Sequence, residues 1–212
     1  MVHYISNEVL LLEQLDTIIN TDVKLKLSEE AVLNIEKCHT FFTEKVKDSS
    51  LTEATEQHYT QLRHYACGIG ERLPCKLVRI MLFLKVQSFS YGFSGVRLAL
   101  VQRLIDFFNN GVYPVVYSKD IPDERIALAH LSLPLIGEGE VCIQNKIYSA
   151  QELASKYGWE PLPLSQREVD ALLNGTQLTT AYSAHNLIES LKLIEWADFV
   201  ASVSTQVFGG NL

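Results

Sequence analysis

The six histidines and four cysteines of this sequence are its best-suited side chains for binding a metal or carrying a proton. His64, Cys67 and Cys75 form the closest grouping, and imidazole and thiolate are zinc ligands. Cys67 and Cys75 straddle a glycine-bearing break, however, and no second close pair completes four ligands. Cys38, Cys67, Cys75 and Cys142 contain no CxxC pair, so they read as reduced, buried thiols, and no metal is expected. His130, within Leu128-Ala129-His130-Leu131, reads as a satisfied core histidine rather than a catalyst. His185 reads as exposed. Arg97 and Glu138 read as buried or interface polar anchors, because the guanidinium fork suits carboxylates.

The elements that would position these residues are mostly helices. Leu11, Leu15, Ile18 and Ile19 sit at helical spacing within Asn7–Asn20. Val23, Leu25 and Leu27 alternate with lysines as a short strand does, and a helix opens at Ser28 toward Phe42. Ser50 and Glu53 fit a capping box for a helix that Gly68 closes. Pro74 to Phe89 predicts a helix with Leu77, Ile80, Met81 and Leu84 on one side. Ser94 caps another, Val96 to Asn109, stopped by Asn110-Gly111. Residues 124–133 read as a helix ending at Pro134, and 141–148 as a hairpin turning at Gln144-Asn145-Lys146. Capping boxes at Ser149/Glu152 and Ser165/Glu168 open two more helices. Thr179 to Val207 is a long apolar-periodic helix.

The chain has 212 residues, 47 % hydrophobic and 20 % charged, which is globular composition. A net charge of −7 argues against nucleic acid and anionic lipid as partners. No apolar run is long enough to span a bilayer, and the start carries no secretory pattern, so a cytoplasmic location is expected.

Several pieces occur in a shared order: Ala66-Cys67-Gly68-Ile69-Gly70, Leu77-Val78-Arg79, Gly92-Phe93-Ser94-Gly95-Val96-Arg97, Leu128-Ala129-His130-Leu131, Leu135-Ile136-Gly137-Glu138-Gly139-Glu140, Glu160-Pro161-Leu162 and Leu172-Leu173-Asn174-Gly175-Thr176-Gln177. In this order the chain resembles the N-terminal part of the histidine and aromatic amino-acid ammonia-lyase family. The match is good over residues 59–200 and weak over 1–58, within a single domain spanning 1–212. The resemblance implies a mainly α fold with a small β-hairpin. In active members it implies a tetramer that eliminates ammonia with a methylidene-imidazolone electrophile made from the chain's own Ala-Ser-Gly.

That tripeptide occurs nowhere in the 212 residues. No glycine lies between Gly111 and Gly137, so no unhindered backbone nitrogen is available for the cyclisation. Ile121-Pro122-Asp123 falls about where the tripeptide would lie, in a loop a few residues short. The family's catalytic-tyrosine run should lie near residues 45–55, which read Lys45-Val46-Lys47-Asp48-Ser49-Ser50-Leu51. The family's Ser-His-Ala histidine becomes Tyr65 when Gly68 is aligned. Asn174 matches an active-site residue, although Asn-Gly alone is also a common turn, since both residues tolerate positive φ.

The expectation is therefore a non-catalytic homologue without cofactor, with Asn174 and Tyr65 as a substrate-pocket vestige. The alternative is one half of a split lyase completed by another chain. Family members continue past the equivalent of Leu212 through long helices. The stripe of Thr179–Val207 then calls for a homo-oligomer or a complex with a related lyase chain.

Overall fold

The computed structural model describes residues 1–45, 56–119 and 123–209. The expected Ser50/Glu53 capping box and the run near residues 45–55 lie largely outside them. The chain opens with β1 (Val2–Ile5), α1 (Leu12–Asn20) and β2 (Lys24–Leu27), a small crossover unit whose two strands pair in parallel. Its pairing puts Ile5 and Leu25, both fully enclosed, into the core. The expected helix from Asn7 begins only at Leu12, because the Gln14 side chain accepts from the Leu11 N–H and sets the cap there.

Next come α2 (Glu29–Lys45), α3 (Glu56–Tyr65), β3 (Ile69–Arg72), α4 (Cys75–Ser90) and α5 (Leu98–Asn109). α4 is buried nearly all round: Val78, Phe83 and Val86 join Leu77, Ile80 and Met81 in the core, while Leu84 is only half-buried. A helix enclosed on every side must be the one others pack around, and α1, α2, α5 and the last helix all do so. α5 starts later than Ser94 suggested. Gly95 turns the chain at φ 71°, and Arg97 becomes the cap residue.

Beyond it lie β4 (Val112–Pro114), β5 (Tyr117–Lys119), α6 (Glu124–Ser132), β6 (Glu140–Ile143), β7 (Lys146–Ser149), α7 (Glu152–Tyr157), α8 (Gln166–Leu173) and α9 (Gln177–Val207). β6 and β7 are the expected hairpin, with Gln144 and Asn145 both at positive φ as a tight two-residue turn requires. β4 adds to its other edge, and β3 pairs with β5. Pro134 does not simply stop α6, since the chain continues through a 3-10 turn, Leu133–Ile136. At Ser149 the Glu152 carboxylate accepts the Ser149 N–H, but the helix starts at Glu152 itself, so this is a turn before the helix and not a capping box. Ser165/Glu168 is a true capping box.

Glu168, 1 % exposed, also takes two charge-assisted hydrogen bonds from Arg97, from Nε at 2.9 Å and from the second terminal nitrogen at 2.7 Å. The Arg97 N–H adds a third at 3.2 Å, which ties the start of α5 to the start of α8. Arg97→Met leaves a buried carboxylate without its cation. The variant should lose about 2–3 kcal/mol, the part-exposed guanidinium discounting the value for a fully buried pair. A urea midpoint unchanged from wild type would show that the pair does not hold these helices.

Candidate functional site

The amino end of α6 follows directly on the residues where the family's cyclising loop was expected. Asp123 is its cap: the carboxylate accepts from the Arg125 N–H at 2.9 Å and from Arg125 Nε at 2.8 Å. These bonds hold the Asp123 carboxyl below its usual range. The Arg125 guanidinium in turn lies 4.6 Å from the centre of the Tyr65 ring, at the end of α3. Beside it, the Glu124 carboxylate accepts from the Leu178 N–H at 3.0 Å and the Thr179 N–H at 2.9 Å. A carboxylate there satisfies free amide donors at the positive end of α9. One turn of α6 thus reaches both Tyr65 and the start of α9, just past Asn174.

The two expected vestige residues are consequently near one hub but not joined. Tyr65 is half-buried against Arg125, whereas the side chain of Asn174 is exposed at the end of α8. No hydrogen bond links them among the described residues. Asn174 is also not a positive-φ turn residue: it is extended, at φ −92° and ψ 134°, and only Gly175 has positive φ. What holds Asn174 is its backbone. Lys85, from the middle of α4, donates to the Asn174 carbonyl at 2.7 Å and the Ala171 carbonyl at 2.8 Å. Lys85 is 1 % exposed, and burial pushes its amine down to about 7. The two carbonyls at the negative end of α8 and the Phe89 ring, 5.2 Å away, oppose that push.

His130 is a core histidine. Its Nε2 accepts the Gly68 N–H at 3.1 Å, Tyr117 packs edge-on at 5.3 Å, and burial lowers its basicity. Gly68 therefore serves differently from expected. It is absent from the positive-φ positions, α3 ends three residues earlier, and a Cβ at Gly68 would stand 3.0 Å from His130 Nε2. His64 is exposed and Cys67 is exposed, so the thiols are not uniformly buried. Among the described residues no group of three or more His, Cys, Asp or Glu could hold a metal ion. Glu138 accepts from Arg63 Nε through both oxygens at 3.0 Å, and His185 is half-buried rather than exposed.

The ordering of α3, α4, α6, α8 and α9 around this hub has counterparts in known proteins. A family model described as aromatic amino acid lyase matches residues 48–212. The chain belongs to this family. Histidine ammonia-lyase of Legionella pneumophila (strain Paris) is 43 % identical over 150 residues, 69 % of this chain and 30 % of that protein. The Salmonella agona histidine ammonia-lyase is 38 % identical over the same shares of each chain. The crystal structure of histidine ammonia-lyase from Trypanosoma cruzi superposes with a TM-score of 0.89 at 27 % identity, covering 100 % of this chain and 44 % of that one. The chain thus spans under a third of the length of the curated relatives it matches.

Lys85 and Gln177 were not singled out from sequence. Lys85 carried a signal, a lone cation in the apolar run Ile80 to Phe89. Gln177 closes the family-matching piece Leu172–Gln177 but was given no role there; it is 7 % exposed, and its Oε1 has no hydrogen-bond partner among the described residues. Lys85 sets a pH dependence. Its folded value of about 7 lies below the ordinary 10.5, so the unfolded chain holds more protons between those pH values. The contribution of Lys85 to stability therefore rises with pH from about 7 toward 10.5 and is flat below 7. Wild type should gain on Lys85→Met across that window, with a slope of up to about 1.4 kcal/mol per pH unit. A difference in urea stability that stays constant from pH 7 to 10 would mean that Lys85 remains charged in the fold.

Proposed function

We propose that this chain is a non-catalytic homologue of the ammonia-lyases that acts as a binding or partner subunit. The observation that carries the reading is Asp123. In active members a glycine nitrogen must be free to attack the carbonyl of the alanine two residues before it. Here the corresponding stretch is Ile121-Pro122-Asp123, and the Asp123 side chain is committed to capping α6. Pro122 supplies no N–H and a fixed φ. A cytoplasmic setting, where the four free thiols are kept reduced, fits this role. The purified chain should release no ammonia from histidine, phenylalanine or tyrosine, and its intact mass should lack the loss of two waters that cyclisation causes. Urocanate or cinnamate formed in proportion to the protein, beyond any host lyase, would overturn the proposal.

A second reading is half of a split lyase, which the exposed apolar residues of α9 support because a second chain would cover them. In that case a chain supplying the remaining helices and an intact tripeptide should confer activity when mixed with this one, and activity should scale with both.

Either reading places a partner on α9. Its buried residues, Gln177, Ala181 and Ile188, all lie in the first half of the helix. Leu187, Leu191, Ile194, Val200 and Val203 are 45–57 % exposed, so covering them contributes about 5 kcal/mol. Leu193, Trp196 and Phe199, 60–70 % exposed, raise this to about 10 kcal/mol before association entropy opposes it. We infer a homo-oligomer or a complex with a related lyase chain built on this half of α9. Replacing Leu191 and Ile194 together with glutamate should lower the mass in solution toward that of the monomer. Light scattering that gives a monomer for wild type at tens of micromolar, unchanged in the double variant, would remove the support for self-association.

A further inference from the structure

Cys75 opens α4 and Cys142 lies in β6; they are 67 positions apart in sequence, yet their sulfurs stand 3.2 Å from one another. Both are held by rigid neighbours. Cys75 follows the Pro74 cap of the long enclosed helix α4, and Cys142 pairs with Tyr113 on one side and Ile147 on the other within the three-stranded sheet. Cys142 is buried and Cys75 is half-buried, so a small reagent reaches the pair from the Cys75 side. A disulfide bond is about 2.05 Å long. Closing the remaining gap takes a shift of about 1 Å, which rotation about the two Cα–Cβ bonds can supply.

We propose that Cys75 and Cys142 form a redox modification site, oxidised to an intramolecular disulfide by a hydroperoxide or by a small-molecule disulfide. With a hydroperoxide, the Cys75 thiolate attacks the terminal oxygen, the O–O bond breaks, and water or an alcohol leaves. Cys75 is then a sulfenic acid. The Cys142 sulfur attacks it, the S–O bond breaks, and the departing hydroxide takes the Cys142 proton away as water. The two sulfurs together lose two electrons, and the peroxide gains them. With a small disulfide, Cys75 forms a mixed disulfide and Cys142 displaces the second small thiol. Burial first, and the contact with Cys142 second, push the Cys75 thiol up to about 11. The site is therefore slow at neutral pH. Its rate should climb close to tenfold per pH unit between 7 and 9 as the thiolate fraction grows.

The test uses the full chain, treated with hydrogen peroxide in one arm and oxidised glutathione in the other, then alkylated and mapped by peptide mass spectrometry without reduction. The expected product is a Cys75–Cys142 linked peptide, lighter by about 2 Da than its reduced parts and reversed by dithiothreitol. It should form equally in Cys67→Ser, where the exposed competing thiol is gone. Because the bond closes a long loop, the oxidised chain should melt about 5–10 °C higher than the reduced one. Recovery of Cys75 and Cys142 as free thiols while Cys67 is oxidised would overturn the proposal. So would glutathione that stays on Cys75 without being displaced, or a linkage seen only after denaturation.

Discussion

Lys85 carries its amine into the interior of α4, among Phe83, Val86 and Phe89, where its hydrogen-bond acceptors are the Ala171 and Asn174 carbonyls. An unpaired ammonium there would cost several kcal/mol, so the end of α8 has to arrive at that point for the fold to form. The other end of α8 is fixed by the same kind of demand: Glu168 is buried and needs Arg97. Two buried polar groups therefore clamp one eight-residue helix at both ends. From its fixed C-terminus, the Asn174-Gly175 turn sets where α9 begins, and α9 then packs along α4. Lys85 thus helps to set where the longest helix begins, together with Glu124 at its amino end.

The same economy explains the α6 end. A cyclising loop needs a residue without a side chain at the attacking nitrogen. Asp123 does the opposite. It satisfies an α6 N–H and orients Arg125 across Tyr65, a contribution of about 1 kcal/mol for the cap alone. Glu124 satisfies two more N–H groups at the start of α9. The scaffold around the loop thus holds together through capping carboxylates and an arginine, and nothing in that set depends on an electrophile being present. Family membership fixes the scaffold; chemistry depends on the loop.

Much of this was readable from the residues. The hairpin, α5's stop at Asn110-Gly111 and the Ser165 capping box follow local rules, and local rules suffice for them. β1, β3 and β5 were missed because, unlike β2 with its alternating lysines and apolar residues, they are three or four residues without a clean alternation. Ile69 pairs with Lys119, fifty positions on, and only the tertiary fold brings them together. α4 was legible as a helix, but a one-sided stripe was expected and burial all round was found, since its run from Ile80 to Phe89 has apolar residues on every face. Gly68 was correctly marked as special for an incorrect reason: close approach to His130, not a left-handed cap. Of the candidate site, Tyr65 and Asn174 were named, while Arg125, Glu124 and Lys85, which hold them, were not. Those three act through partners 54 to 89 positions away in sequence, beyond the reach of any spacing rule.

α9 shows what the sequence states about surroundings rather than about itself. An exposed helix on a globular protein normally separates an apolar stripe from a polar face. Beyond Ile188 this one does not: Leu191, Leu193, Ile194, Trp196, Phe199 and Val200 point around the whole circumference, interrupted by Lys192, Glu195 and Asp198. Among the described residues, Ala181 and Ile188 in its first half pack into the core, and Lys192 near its middle donates to Asp16 at 2.8 Å. Thirty-one residues make a rod about 46 Å long, and its buried residues are Gln177, Ala181 and Ile188. A helix apolar on every side is stable in water only when neighbours enclose it, and α4, one layer below, is the example within this fold. The second half of α9 is apolar like α4 yet exposed like a surface helix, and that mismatch is what supports the proposed association along it.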